Sequence, residues 1–149
     1  PTATNIFFVT SSTEIYTPVP PTATPSPTPS PTSPAAGMHV GDLDGTGTNT
    51  SSSRWRARVT IAVHDANHAP VSGATVTGNW SNGSSGSSSC TTNSNGVCNV
   101  NKSSLRRSNV ASVQFTVTNV TKSGVTYSSA ANHDVDGGTN GTTIVVNRP

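Results

Sequence analysis

A run of eight prolines between Pro18 and Pro34 is the feature that most limits what this chain can fold into. The intervening residues are mainly threonine and serine. Each proline fixes φ at about −65°, removes a backbone donor and disfavours helix at the preceding residue. We therefore predict that residues 18–37 form an extended, semi-rigid linker of polyproline II character.

The linker is long compared with the domain that the rest of the chain can form. Residues 18–34 span roughly 50 Å at the polyproline rise, whereas a domain of about 110 residues has a radius of gyration of about 13 Å. The linker can therefore carry the segment that precedes it to a neighbouring molecule.

The linker composition is also typical of O-glycosylated stalks. The candidate acceptors are Thr17, Thr22, Thr24, Ser26, Thr28, Ser30, Thr32 and Ser33. An unmodified spacer is the alternative. Charged residues make up only 9% of the chain, so solubility must rest on hydroxyls, amides or sugars. This composition favours an extracellular or cell-surface protein.

Residues 1–17 have strand-like character without a neighbouring segment that could bury it. Their large apolar side chains are Ile6, Phe7, Phe8, Val9, Ile15 and Tyr16. We predict that residues 5–16 donate a strand to a sheet edge of another copy, which would give a head-to-tail homopolymer. Pairing within the same chain, or with a preceding domain, is the alternative. Because the sequence begins with Pro1, we expect further residues upstream.

Residues 38–149 show the two-residue period of β-strands and no helical period. The clearest strands are expected at residues 54–63, 74–80 and 112–118, and weaker ones at 38–40, 97–101, 124–128 and 142–147. Residues 82–89, which carry no apolar side chain, are expected to form a mobile loop. About seven short strands predict an all-β fold, an immunoglobulin-like antiparallel β-sandwich.

The two cysteines, Cys90 and Cys98, lack the paired spacing of a zinc or redox motif, so we predict a disulfide. Closing this loop of about nine residues is worth roughly 2.5 kcal/mol in the chain-entropy model. A two-residue turn at Asn95-Gly96 would place Cys98 opposite Asn93. Either the loop is longer, or the bridge lies outside the strand ladder.

Several sequence strings resemble those of bacterial immunoglobulin-like repeats of the invasin type and related transthyretin-like modules. The strings are DANHAPVSGATV (65–76), CTTN (90–93) with Gly96, MHVGDLDG (38–45) and NHDVDGGTNGT (132–142). The resemblance implies a β-sandwich that closes a secreted or surface protein after a Thr/Pro linker. Such modules serve as stalks, adhesin repeats, fibre subunits or accessory modules of hydrolases, and no catalytic residue transfers with them.

Four of the six acidic residues form two Asp-x-Asp-Gly pairs, Asp42 with Asp44 and Asp134 with Asp136. Calcium needs six to eight oxygen ligands, and spaced aspartates on a glycine-containing turn supply several of them. The other interpretation is that Asp-Gly pairs simply build turns. We favour turns, because the remaining ligands of an EF-hand pattern are missing.

The histidines at positions 64, 68 and 133, with Asp65 and Asp134, invite a metal or catalytic interpretation. They lack the helical spacing of known zinc motifs, and they adjoin turn residues. We therefore expect a solvated turn without chemistry. No nucleophile elbow or phosphate-binding loop occurs and Glu14 is the only glutamate, so we predict that the chain is not an enzyme.

The remaining polar and aromatic candidates are weak. The formal charge is only +2, and the basic residues are scattered except for Arg54, Arg56 and Arg58 on one strand face and the pair Arg106 and Arg107, so we expect no nucleic-acid partner. No apolar run is long enough to cross a membrane. Trp55 shares a strand face with apolar residues and is expected in the core. Trp80 borders the serine-rich loop, where it could stack on a sugar.

These patterns together predict a non-enzymatic extracellular structural or adhesive protein. The favoured form is a subunit of a glycosylated surface fibre that is assembled by strand donation. The alternative is a polysaccharide-binding or spacer module at the tail of a secreted hydrolase. No cofactor is expected apart from the calcium alternative, and covalent glycans are expected on the linker.

Overall fold

The computed structural model describes Thr10, Ser11 and residues 36–149. The predicted donor-strand residues Ile6, Phe7, Phe8, Val9, Ile15 and Tyr16 lie outside these described residues, as do the eight predicted glycosylation residues from Thr17 to Ser33. The fold is therefore that of the C-terminal module.

The module is a two-layer sandwich. Its strands are β1 (Ala36–Asn49), β2 (Arg54–Asp65), β3 (Thr75–Ser81), β4 (Ser87–Thr91), β5 (Val97–Arg106), β6 (Ser112–Thr121), β7 (Val125–Tyr127) and β8 (Thr143–Asn147), with one 3-10 turn at Ser129–Ala131. One sheet has the order β5-β2-β1-β7 and the other β4-β3-β6-β8. This arrangement confirms the predicted all-β sandwich.

The core follows the alternation that the sequence shows. In β2, every second residue from Trp55 to Val63 is buried, and the residues between them are at least partly exposed. β2 also lies between β1 and β5 in its sheet, so it is paired on both sides. Trp55 is fully buried and its Nε1 donates to the Val110 carbonyl at 3.1 Å. The prediction that Trp55 belongs to the core is confirmed.

Three details differ from the sequence expectations. Residues 82–89 are not wholly loop, because β4 begins at Ser87 and pairs with β3. Backbone pairing stabilises this strand, and Nε1 of Trp80 donates to Ser88 Oγ at 2.9 Å. Neither interaction requires alternating apolar residues in the sequence of β4. β1 has 14 residues instead of the expected three. Its short pairing with β7 is parallel, whereas the other strand pairs are antiparallel.

The predicted disulfide is confirmed and it joins the two sheets. Cys90 lies in edge strand β4 and Cys98 in edge strand β5, with 5.8 Å between their Cα atoms. The bridge therefore lies outside the strand ladder, the second of the two alternatives left open by the sequence. The connecting turn is held by the Asn93 side chain, which accepts from the N–H groups of Asn95 and Val97.

Strand β1 contains a β-bulge at Gly41. Val40 faces Val63 and Asp42 faces Ala62, so Gly41 is an extra residue without a counterpart on β2. A bulge of this kind leaves one residue unpaired and bends the strand locally.

The bulge changes which side chains of β1 point into the core. Met38 and Val40 are buried before it and Leu43 after it, so the spacing of core residues increases from two to three. Since neighbouring side chains on a strand point to opposite faces, His39 and Asp42 both lie on the outer face. In a strand without the bulge, side chains would alternate strictly between the two faces. Leu43 would then share the outer face with His39, and Asp42 would point into the core.

Position 41 requires glycine because of a close approach to His64. A Cβ at Gly41 would overlap Nδ1 of His64 and would lie 2.6 Å from its Cε1. Gly37, in the same strand, has no atom within 4 Å of the place its Cβ would take. Gly41 and Gly37 therefore differ sharply in whether a side chain fits at their positions.

We predict that Gly41→Ala destabilises the protein by about 2 kcal/mol, because overpacking must displace the His64 ring. Gly37→Ala should change the free energy of unfolding by less than about 0.5 kcal/mol. Urea denaturation of the full chain in the presence of EDTA measures both. Equal effects of the two substitutions would show that the glycine does not serve the His64 contact.

Candidate functional site

All four histidines of the chain meet at one place on the module. His39 comes from β1, His64 from the end of β2, His68 from the turn after β2, and His133 from the segment after the 3-10 turn. One ring nitrogen from each of the four residues lies within 4.8 Å of the others. We call this group the histidine cluster.

Strand pairing places the first two histidines together. His39 and His64 are direct partners in the β1–β2 ladder, so their side chains share one face of the sheet. His39 is only 5% exposed and His64 is half-buried. Nε2 of His39 and Nδ1 of His64 are buried and have no hydrogen-bond partner among the described residues.

A tightly held turn supplies His68. The Asp65 carboxylate accepts from the N–H groups of Asn67 and Ala69, at 2.8 and 2.9 Å. His68 has a φ of 61°, a left-handed conformation that is uncommon for residues other than glycine. Its exposed ring lies 5.4 Å from that of His39 and 5.1 Å from that of His133, measured between centroids.

The fourth histidine is fixed through its backbone and one ring nitrogen. The N–H of His133 donates to the Val40 carbonyl at 3.0 Å. Its Nδ1 lies 3.1 Å from the Ala131 carbonyl oxygen, which can only accept, so Nδ1 carries the proton. Nε2 is therefore left with a free lone pair. Gly141 allows this path, because a Cβ there would overlap the His133 backbone.

The preceding residue, Asn132, anchors the same segment. Its Oδ1 accepts from the Val40 N–H at 2.9 Å, and its Nδ2 donates to the Tyr127 hydroxyl at 2.8 Å and to Thr142 Oγ1 at 3.0 Å. Through these bonds one side chain ties β1, the end of β7 and the start of β8 together. The position of His133 beside His39 depends on this anchor.

The buried histidines are held in their neutral form. Burial lowers the pKa of His39, and the positive charges that His133, His68 and His64 would carry lower it further, against the opposing effect of Asp65. Burial and the neighbouring histidines likewise lower the pKa of His64. Neutral imidazole is the form that accepts a hydrogen bond or binds a metal.

A cleft of about 430 Å³ opens beside the histidine cluster. It is lined by Gly37, Met38, His39, Ala66, His68, Ser128, Ala131 and His133. The cleft gives solutes a path to the cluster from the side of His68 and His133.

Three of the four predicted calcium aspartates form a second group on the outer face. Carboxylate oxygens of Asp42, Asp134 and Asp136 lie within 4.8 Å of one another, and Asp44 does not join them. Three carboxylates fall short of the six to eight oxygens that calcium requires. Asp136 also accepts from the Gly138 N–H at 3.1 Å, as a turn-building aspartate does.

The carboxyl groups of Asp42 and Asp134 lie close together. Burial, the adjacent Asp134 side chain and the charge of Asp44 raise the pKa of Asp42 to about 6. Burial opposes ionisation of Asp134, but the adjacent side chains of Asp42 and Thr139 outweigh it and lower its pKa. Both carboxylate oxygens of Asp134 are buried without a hydrogen-bond partner in the described part of the chain.

The sandwich has an open edge where β1 and β8 approach each other. β7 pairs with β1 only over Ala36–Met38, and no strand in the described part of the chain pairs with the outer side of residues 42–49. β8 likewise pairs only with β6. We call residues 42–49 and Thr143–Asn147 together the open edge.

A groove of about 370 Å³ follows part of the open edge. Its lining residues are Leu43, Asp44, Gly45, Asp136, Gly138, Thr139, Thr143, Ile144 and Val145. Val145 is 49% exposed, so one apolar side chain lies in this largely polar groove, beside strands that have no partner on one side among the described residues.

Sequence reasoning expected a solvated turn at His64, His68 and His133. The structure instead packs these three around His39, which the sequence gave no reason to single out. A usable signal was that His64 and His68 follow the expected strand at residues 54–63 directly.

The other candidates behave as structural residues. Trp80 is only 3% exposed and its ring packs 4.9 Å from that of Phe115, so it offers no platform for a sugar. Arg54 donates to the Ser104 carbonyl and Arg58 to Asn99 Oδ1, each at 2.9 Å. These two arginines connect β2 to β5 through side-chain hydrogen bonds.

Comparison of the chain with protein-family models, with curated proteins and with solved structures finds no match. Within the described residues, no helix has the length and apolar character needed to cross a membrane.

We predict that Asp42→Asn raises the free energy of unfolding, relative to wild type, more at pH 7.5 than at pH 4.5. The pKa of Asp42 is about 6 in the folded protein against 3.8 ordinarily, so protonation favours folding. That contribution is complete below pH 3.8 and is lost as the pH rises through 6. Asparagine avoids this loss, which is about 1 kcal/mol after allowance for solvent screening.

Urea denaturation of wild type and Asp42→Asn at the two pH values, with EDTA present, measures the change. A difference in unfolding free energy between the two proteins that stays constant with pH would contradict the raised pKa of Asp42.

Proposed function

We propose that the protein is a non-enzymatic, extracellular structural subunit that assembles by strand addition. In this assembly, residues 5–16 of one copy add to the open edge of the next. The observation that supports the proposal is the open edge itself, where, among the described residues, eight residues of β1 and all of β8 have a strand on one side only. Unpaired strand edges are templates for an added strand.

The donor segment is longer than the β1 part of the open edge. Residues 42–49 extend over roughly 26 Å at the rise of a β-strand, and residues 5–16 over roughly 40 Å. The donor segment can therefore cover the whole of the open edge. Its apolar residues Phe7, Phe8 and Val9 would meet the groove beside Val145.

The linker supplies the reach for assembly between copies. Its extended length of roughly 50 Å is greater than the size expected for a module of this length. O-glycosylation of its hydroxyl residues, as proposed from the sequence, would stiffen the linker and protect it from proteases. Repeated donation would then give a chain of sandwich modules joined by glycosylated connectors.

The disulfide of the module supports an extracellular location. The Cys90–Cys98 disulfide is stable in oxidising compartments and rare in reducing ones. Secreted bacterial modules of the invasin type, to which the sequence strings bear a resemblance, are also built as β-sandwiches. The alternative role in polysaccharide binding loses support, because Trp80, the side chain proposed to stack on sugar, is buried.

The assembly can be tested with three full-length variants. We predict that wild type forms concentration-dependent polymers, and that Phe8→Asp, which places a charge in the donor segment, reduces them to monomers. Val145→Glu should do the same from the acceptor side, because it places a charge in the groove. Light scattering coupled to size-exclusion chromatography measures the masses over a range of concentrations.

Thr91→Glu is the matched control, because Thr91 is exposed on β4, the opposite edge strand of the same sheet. This variant should polymerise as wild type does. A wild-type protein that stays monomeric at all concentrations would sink the proposal. Equal loss in the Thr91→Glu variant would show that charge, and not the open edge, controls association.

A further inference from the structure

We propose that the histidine cluster binds one divalent late first-row transition metal, of the class of Zn²⁺ or Cu²⁺, through His39, His64, His68 and His133. This site is independent of strand addition, because it lies on the outer face of the sheet around β1 and β2 and involves no residue of the open edge.

The donor set selects the class of metal. Four imidazole nitrogens are borderline-soft ligands that suit Zn²⁺, Cu²⁺ and Ni²⁺, whereas Ca²⁺ and Mg²⁺ prefer oxygen. Nitrogen sites follow an affinity order in which Cu²⁺ exceeds Zn²⁺. We therefore expect Cu²⁺ to bind more tightly than Zn²⁺, and both far more tightly than Ca²⁺.

The distances are close to those of a coordinated site. A tetrahedral zinc ion with Zn–N bonds of about 2.05 Å separates its ligand nitrogens by about 3.3 Å. The four nitrogens of the cluster lie within 4.8 Å of one another, so the nitrogens need to approach by about 1.5 Å at most. His68, exposed on its turn, has the freedom to make that movement.

Unpaired nitrogens are the second observation in favour of a metal. Nε2 of His39, a residue only 5% exposed, and Nδ1 of His64 are buried without a hydrogen-bond partner in the described part of the chain. Burying a polar atom without a partner is costly. A cation bound within the cluster would provide a partner for a buried imidazole nitrogen that otherwise has none.

The surroundings of His133 are those of a metal ligand. Its Nδ1 lies 3.1 Å from the Ala131 carbonyl oxygen, so Nδ1–H donates there and Nε2 keeps its lone pair. Metal-binding histidines are commonly oriented by such a bond from the second ring nitrogen.

The backbone is adapted to the cluster at three places. Gly41 permits the close approach of β1 to His64, and Gly141 permits the path of the chain past His133. His68 adopts a positive φ, a conformation that a histidine holds at some cost. Each feature serves to bring a histidine to the same point.

Equilibrium dialysis with metal analysis tests the proposal on the full chain without an affinity tag. The probes are ZnCl₂, CuCl₂ and CaCl₂, each alone. We expect one equivalent of Zn²⁺ or of Cu²⁺ and no stoichiometric Ca²⁺. The Cu²⁺ form should show nitrogen hyperfine structure in its electron paramagnetic resonance spectrum.

Two ligand variants and one control locate the metal. His68→Asn keeps a residue that accepts positive φ, and His133→Gln keeps the backbone bond to Val40. Each should weaken Zn²⁺ binding at least about tenfold. Asp136→Asn, in the neighbouring aspartate group, should leave the Kd within about twofold of wild type.

Thermal unfolding gives an independent readout. Zn²⁺ at about 100 times its Kd should raise the Tm of wild type by roughly 10 °C. The metal-free His68→Asn variant should melt close to metal-free wild type. Absence of stoichiometric Zn²⁺ and Cu²⁺ binding would overturn the proposal, as would an unchanged Kd in both ligand variants. Loss of binding in Asp136→Asn alone would assign the metal to the aspartates instead.

Discussion

The β-bulge at Gly41 is the constraint on which the outer face of this module depends. The extra residue lets Val40 and Leu43 both point into the core while His39 and Asp42 both point outwards. The absence of a side chain at position 41 then lets β1 approach His64. One residue thus satisfies the hydrophobic core on one face and creates a polar group on the other, which is a common use of bulges near functional sites.

The rest of the polar face is built on this strand. The Val40 backbone accepts from the His133 N–H and donates to Asn132 Oδ1, which fixes the segment that carries both His133 and Asp134. His133 then lies beside His39, and Asp134 beside Asp42. The module therefore carries an imidazole group and a carboxyl group side by side, each formed from β1 and the same crossing segment. Burial lowers the pKa of His39 and His64, whereas burial raises the pKa of Asp42.

The sequence predicted the features that repeat and missed those that depend on tertiary contacts. Alternation in β2, from Trp55 to Val63, identified a core strand, and the isolated cysteines identified the disulfide. β4 was missed because its serines show no apolar period, although their backbone pairs well with β3. The length of β1 was missed because the bulge at Gly41 interrupts its alternation. The histidine cluster was missed because its members are up to 94 positions apart, and only the pairing of His39 with His64 and the crossing of the later segment bring them together.

X-ray absorption spectroscopy of the full chain with one equivalent of Zn²⁺ reports the ligand atoms around the metal, and so tests whether the four histidines bind it. We expect about four nitrogen neighbours at about 2.0 Å with the outer-shell scattering of imidazole rings. A first shell dominated by oxygen, without imidazole scattering, would contradict it.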